Sequence, residues 1–140
     1  MKKNEEEVDL KLSVKDNEIK KCPVELAMGL INKKWVIQLL RDMFFGVSRF
    51  NEFKEGKPNL SNKVLSNCLK DMETNGLIKR IVDDEDPSNI EYKLSHKGMA
   101  LNKVIYELAM YSLNTDIDNV YFSEEEKVQI SETFKNQLFD

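Results

Sequence analysis

Residues 60–80 read LSNKVLSNCLKDMETNGLIKR, and both ends of a helix are written in them. Ser61 is placed as an N-cap, Leu60 and Leu65 take the two positions of a hydrophobic staple, and Gly76 stands where a left-handed residue ends a helix. Between the ends, Leu65, Cys68, Leu69 and Met72 recur at helical spacing and predict the packed face. Asn62, Lys63, Ser66, Asn67 and Lys70 share the opposite side, which has no acid before Asp71. Amide, hydroxyl and ammonium groups bond base edges and phosphates in a major groove, so this face has the chemistry of a recognition helix. An ordinary solvated helix face stays open as the alternative, because most amphipathic helices carry one.

Working outward, PVELAMGLI from Pro23 predicts a short helix, since the fixed φ of proline suits a first turn. KKWVIQLLRDMFF then places Trp35, Val36, Leu39, Leu40 and Met43 on one broad apolar face of a longer helix that Gly46 ends. RFNEFKEG predicts a third, short helix anchored by Phe50 and Phe53, and Lys57-Pro58-Asn59 turns the chain into the Ser61 helix. That order is a helix-turn-helix. Beyond it, LIKRIVDD and NIEYKLS are β-rich runs separated by Glu85-Asp86-Pro87-Ser88, which predicts a hairpin that serves as a wing.

Ser95 starts a further helix in which apolar residues between 99 and 113 cover more than one stripe. Burial on two sides is then needed, and a partner subunit supplies the second most simply. A homodimer is expected, with Leu101, Val104, Ile105, Leu108 and Tyr111 in its interface. Ser123-Glu124-Glu125-Glu126 forms a capping box before a C-terminal helix with Ile130, Phe134 and Leu138 inward. The fold class is mainly α with a small β-hairpin wing (α+β), a winged helix-turn-helix with dimerisation helices. Residues 1–21 form an N-terminal extension in which only Val8, Leu10, Leu12 and Val14 alternate like a short strand. Residues 22–120 form the winged-helix domain and residues 121–140 the C-terminal helix.

With 140 residues, 41% of them apolar, the chain fits one domain. Neither a bilayer-spanning run nor a signal-type start is present in the sequence, so the expected location is cytoplasmic, with no membrane partner. The formal charge of −4 is unevenly spread. Residues 30–80 hold ten basic side chains against five acids, whereas residues 81–100 and 101–140 carry net charges of −3 and −5. The positive segment coincides with the candidate recognition helix. Cys22 and Cys68 are expected to be free thiols, and with only His96 beside them they offer too few soft ligands for zinc. A Gly-rich phosphate loop and a catalytic triad are also missing from the sequence, so neither enzyme activity nor a cofactor is expected.

Several linked motifs resemble the HxlR-type winged-helix transcription regulators, relatives of the MarR group. Cys22-Pro23-Val24-Glu25 resembles the opening CPVE, Lys34-Trp35 the KW pair, and Arg49-Phe50-Asn51-Glu52 the RFNEL element. Val64 to Leu69 resembles the family's recognition helix and Asn75 to Arg80 its joint to the wing. Ile90-Glu91-Tyr92, Leu94-Ser95 and Gly98 resemble the VEYxLTxxG wing exit. The resemblance spans residues 22 to 113 and implies a dimeric DNA-binding regulator on a double-stranded operator, most simply a repressor. Asn62, Lys63, Ser66, Asn67 and Lys70 would then enter the major groove. Arg49, Lys54, Lys57, Lys79 and Arg80 would hold phosphates, with Lys93 also available. One departure is the wing turn from Asp83 to Asn89, which is acidic where such proteins carry a more neutral turn and an Arg before VEY. Four acids there would meet phosphate repulsion, so this tip is not expected to insert.

Cys22 precedes the first helical residue, where backbone N–H groups and the helix dipole favour a thiolate. Lys20 and Lys21 add positive charge and Glu25 opposes it. Several relatives in the resembled family are redox sensors through a cysteine at the matching position, so the resemblance makes Cys22 a redox-sensing candidate; simple packing at the helix start is its alternative. Cys68 is expected to be a small core residue. Two other functions stay open: a regulator answering a small-molecule effector held by Trp35, Phe44, Phe45, Phe50 and Phe53, and a winged-helix protein-interaction module without DNA binding.

Overall fold

A computed structural model describes residues 22–140. The alternating segment at Val8 to Val14 and the Lys20-Lys21 pair lie outside the described residues. The chain divides between Val36 and Ile37 into two compact units. In the first, α1 (Pro23–Ile31) starts at proline, whose missing N–H is one that no helical carbonyl would have received. Cys22 holds the extended N-cap position, and its carbonyl receives the Leu26 N–H at 3.0 Å. Trp35 lies just before the next helix rather than on it, with the Lys34 ammonium 5.2 Å from its ring centre.

The second unit holds α2 (Val36–Phe44) from its second residue on, a 3-10 helix at Phe50–Lys54, and α3 (Asn62–Thr74). The strands β1 (Ile78–Val82) and β2 (Ile90–Leu94) follow, then α4 (His96–Met99), α5 (Asn102–Thr115) and α6 (Glu124–Phe139). Its core is formed by Leu39, Leu40, Phe53, Leu60, Leu65, Leu69, Met72 and Leu77, all at most 2% exposed. The strands pair antiparallel, Ile78 opposite Leu94 through Val82 opposite Ile90. The Tyr92 N–H also donates to the Ser48 carbonyl at 2.8 Å, and the Tyr92 ring meets Phe53 edge-on with centroids 6.3 Å apart. The wing is thereby fastened to the 3-10 helix.

The single helix expected from Ser95 is two helices. Ser95 Oγ accepts the Gly98 N–H at 3.0 Å and donates to the Gly76 carbonyl at 2.6 Å, while the Ser95 N–H bonds the Leu77 carbonyl at 3.0 Å. These bonds pin α4 to the joint between α3 and β1. The chain then realigns through a tight Leu101 N–H to Gly98 carbonyl bond of 3.1 Å before α5 begins.

α6 packs on α5. Tyr106 meets Phe139 and Phe134 meets Phe45, each pair with ring centres 5.2 Å apart, and Asn102 Nδ2 donates to the Leu138 carbonyl at 3.1 Å. One interface expectation is corrected by burial within the chain: Ile105 is 3% exposed and belongs to the core. Leu101 is half-buried. Val104, Leu108 and Tyr111 remain exposed, at 40%, 51% and 69%. Among the described residues, no helix is long and apolar enough to cross a membrane.

The loop from α5 to α6 hangs on Asp116, whose carboxylate accepts the N–H groups of Val120 (2.7 Å), Tyr121 (3.1 Å) and Phe122 (2.9 Å). The Lys127 ammonium donates to the Asp116 carbonyl and to Asn119 Oδ1. Burial pushes the Asp116 carboxyl up. The donors from Phe122, Tyr121 and Val120 and the Lys127 charge outweigh that and hold it below its ordinary 3.8. A carboxyl with a lowered folded pKa stabilises fully above its unfolded value and loses that effect as pH falls through the folded one. Asp116→Asn is therefore expected to melt several degrees below wild type at pH 7. In a circular-dichroism pH series the gap should shrink below about pH 4; a gap that stays constant to pH 2 would contradict the carboxylate's role.

Candidate nucleic-acid interface

Local rules set the ends of α3. Ser61 Oγ accepts the Val64 N–H at 3.1 Å. At the other end Gly76 has φ +76°, a conformation costly for side chains with a Cβ. This lets the Leu77 N–H reach the Met72 carbonyl at 2.9 Å and the Gly76 N–H reach that of Glu73 at 3.0 Å. With Leu65, Cys68, Leu69 and Met72 buried, the helix shows Asn62, Lys63, Ser66, Asn67 and Lys70 to solvent. All five expected groove residues share one exposed face, which offers two amides, a hydroxyl and two ammonium groups. Cys68 lies inside, its Sγ 3.8 Å from the Met72 sulfur.

The five expected phosphate residues divide into two sets. Lys79 and Arg80 lie exposed on β1, unpaired among the described residues. The register puts Lys79 directly opposite exposed Lys93. Like charges so placed repel, and an anion between them would relieve the pair. The other three have internal partners. The Lys57 side chain is only 9% exposed; it pairs with the Asp42 carboxylate and donates to the Phe53 carbonyl at 3.0 Å. Lys54 donates to Asn62 Oδ1 at the start of α3. Arg49 donates through Nη1 to Asn89 Oδ1, and its Nη2 lies 3.6 Å from Glu91 Oε1. Sequence reading missed these acceptors; the signal was there for Asp42, an acid set between Leu40 and Met43 on an apolar helix face.

The wing tip folds on its own acids. Asp83 accepts the Glu85 N–H at 2.9 Å and the Asn89 amide at 3.1 Å, while Asp86 accepts the Ser88 hydroxyl at 2.6 Å and its N–H at 3.2 Å. Led by the Glu85 N–H for Asp83 and the Ser88 hydroxyl for Asp86, these bonds lower both carboxyls below the ordinary 3.8. The exposed tip is thus anionic at neutral pH and repels phosphate.

Cys22, half-buried, has no side-chain capping bond. Beside α5, a hollow of about 200 Å³ is lined by Ile37, Gln38 and Arg41 of α2, Ile105, Leu108 and Ala109 of α5, and Phe134 of α6. Sites for drug-sized ligands hold about 300 to 1,000 Å³, so the hollow suits only a smaller molecule. Of the aromatic side chains expected around an effector, Phe53 is buried under Tyr92 and Phe45 packs on Phe134. Among the described residues, no three His, Cys, Asp or Glu side chains stand together as a metal site.

Comparison with known proteins places these features in a group. The model of the HxlR-like helix-turn-helix family matches residues 30–117. The HTH-type transcriptional regulator YvaP of Bacillus subtilis is 38% identical over 97 residues, covering 69% of this chain and 90% of that one. The redox regulator HypR in its reduced form superposes with a TM-score of 0.64 at 28% identity, over 69% of this chain and 95% of that one. Quinone-bound YodB from B. subtilis gives a TM-score of 0.55 at 33% identity, over 65% and 96%.

Proposed function

Because this chain belongs to the HxlR-like helix-turn-helix family and is a DNA-binding transcriptional regulator, we propose that it represses transcription as a homodimer on an operator of two half-sites. Helix-turn-helix regulators of this kind are typically dimeric. Two copies of α3 would enter successive major grooves about 34 Å apart. Asn62, Lys63, Ser66, Asn67 and Lys70 read and hold the groove, while Lys79, Arg80 and Lys93 take phosphates from the wing strands. The observation that carries this reading is the exposed polar face of a helix capped at both ends, on which no acid precedes Asp71. Val104, Leu108 and Tyr111 supply the exposed apolar stripe for the partner copy. Cys22 is the proposed oxidant sensor; its N-cap position and the likeness to a redox regulator support that role. A regulator of transcription acts where the DNA is, so the cytoplasm is the proposed location.

The test is fluorescence anisotropy with a duplex from the chain's own upstream region, over a salt series, reduced and then treated with a thiol oxidant. Lys70→Ala should weaken specific and random duplexes alike and lower the salt slope by about one. Asn67→Ala should narrow the preference between them by about 1 to 3 kcal/mol. Equal losses on both duplexes for both variants would sink the assignment. A response to oxidant in wild type and none in Cys22→Ser supports the sensor; binding indifferent to oxidant points to a small-molecule signal. No salt-dependent binding to any promoter duplex would leave a protein-interaction module.

A further inference from the structure

The geometry points to Arg49 as a positioning residue that sets the angle of the wing against the recognition helix, and not as a phosphate ligand. This inference rests on the DNA-binding reading above. Both acceptors of the guanidinium belong to the wing: Asn89 precedes β2 and Glu91 lies within it. Asn89 passes the connection on, because its Nδ2 donates to Asp83 Oδ2 at 3.1 Å and its carbonyl takes the Asp83 N–H at 3.1 Å. A polar chain thus runs from the 3-10 helix across the open end of the hairpin.

The other side of Arg49 is equally fixed. Glu52 Oε1 accepts the N–H of Arg49 at 2.9 Å and that of Ser48 at 3.3 Å, next to the Tyr92 to Ser48 backbone bond. The same 3-10 helix reaches α3 through Lys54 and Asn62. It is therefore a strut with one end on the reading helix and the other on the wing. The hairpin needs such a strut: along β1 only Ile78 is buried, and an isolated pair of strands is marginal in water. Glu91 and the anionic tip also compensate the Arg49 charge, which makes it a poor phosphate ligand.

Duplex binding by the full chain over a salt series tests this, with Arg49→Ala, Arg49→Lys, Asn89→Ala and the double variant Arg49→Ala/Asn89→Ala. A positioning role predicts that each single variant, Arg49→Lys included, weakens binding about threefold to tenfold. The double variant should be no worse than either single one, and the salt slope should not change. Amide exchange at residues 83–89 should rise in Arg49→Ala while α3 stays protected. Two results would overturn the inference: rescue by Arg49→Lys together with a slope lowered by about one in Arg49→Ala, or unaltered exchange in Arg49→Ala. If none of the variants weakens binding while Lys70→Ala does, the inference fails and the DNA-binding reading survives. If wild type binds no duplex, that reading fails too, and faster exchange in Arg49→Ala then marks a clamp without a DNA role.

Discussion

Gly98→Ala is expected to destabilise the fold by about 3 kcal/mol and to lower its melting temperature by roughly 10 °C. A Cβ at this position would lie 2.1 Å from the Leu77 carbonyl oxygen and 3.2 Å from both its carbonyl carbon and Leu94 Cδ2. The nearest obstacle is backbone, and that oxygen already accepts the Ser95 N–H at 3.0 Å. Neither side can yield without pulling α4 off the joint between α3 and β1. Helix propensity alone predicts the opposite sign, since alanine in a helix interior is favoured over glycine by about 1 kcal/mol. Denaturant unfolding decides between the two, and a variant as stable as wild type would show that this close approach does not constrain the fold.

Phe53→Ala should cost about 3 to 5 kcal/mol, the range for deleting a fully buried aromatic ring. Phe53 is 0% exposed and packs edge-on to Tyr92, so it links the 3-10 helix to the wing as well as filling the core. Phe53→Leu keeps most of the buried carbon and should recover more than half of the loss. Both can be read from urea midpoints at unchanged slope. A loss under about 1 kcal/mol for the alanine variant would mean that the core closes over the gap.

What could be read in advance was local chemistry. Ser61, Gly76, Ser95 and Ser123 mark helix ends through bonds to residues one to four positions away, and each sits at a helix boundary in the structure. The buried face of α3 followed from periodicity alone. Partners distant along the chain did not show. Lys57 meets Asp42 fifteen residues away and Arg49 meets Asn89 forty away; Asp42 beside an apolar helix face hinted at an internal charge, but nothing local said which basic residue would reach it. Ile105 and Leu108 are alike on an apolar helix, and only tertiary packing decides that one is buried and the other exposed. The division of the helix after Ser95 depends on the contact between Gly98 and Leu77, again a tertiary event.

The self-folded wing tip bears on how such a regulator diverges. Its turn is held by Asp83, Asp86, Ser88 and Asn89, while the side chains of Asp84 and Glu85 bond nothing among the described residues. Those two positions form an adjustable charge setting that is separate from the scaffold. A single-nucleotide change from Asp to Asn at position 84, or from Glu to Gln or Lys at position 85, relaxes repulsion of the sugar-phosphate backbone and leaves the hairpin intact. Overall grip on DNA then drifts by small steps while the code read by α3 stays the same, so duplicated copies can first diverge in operator occupancy and only later in operator choice.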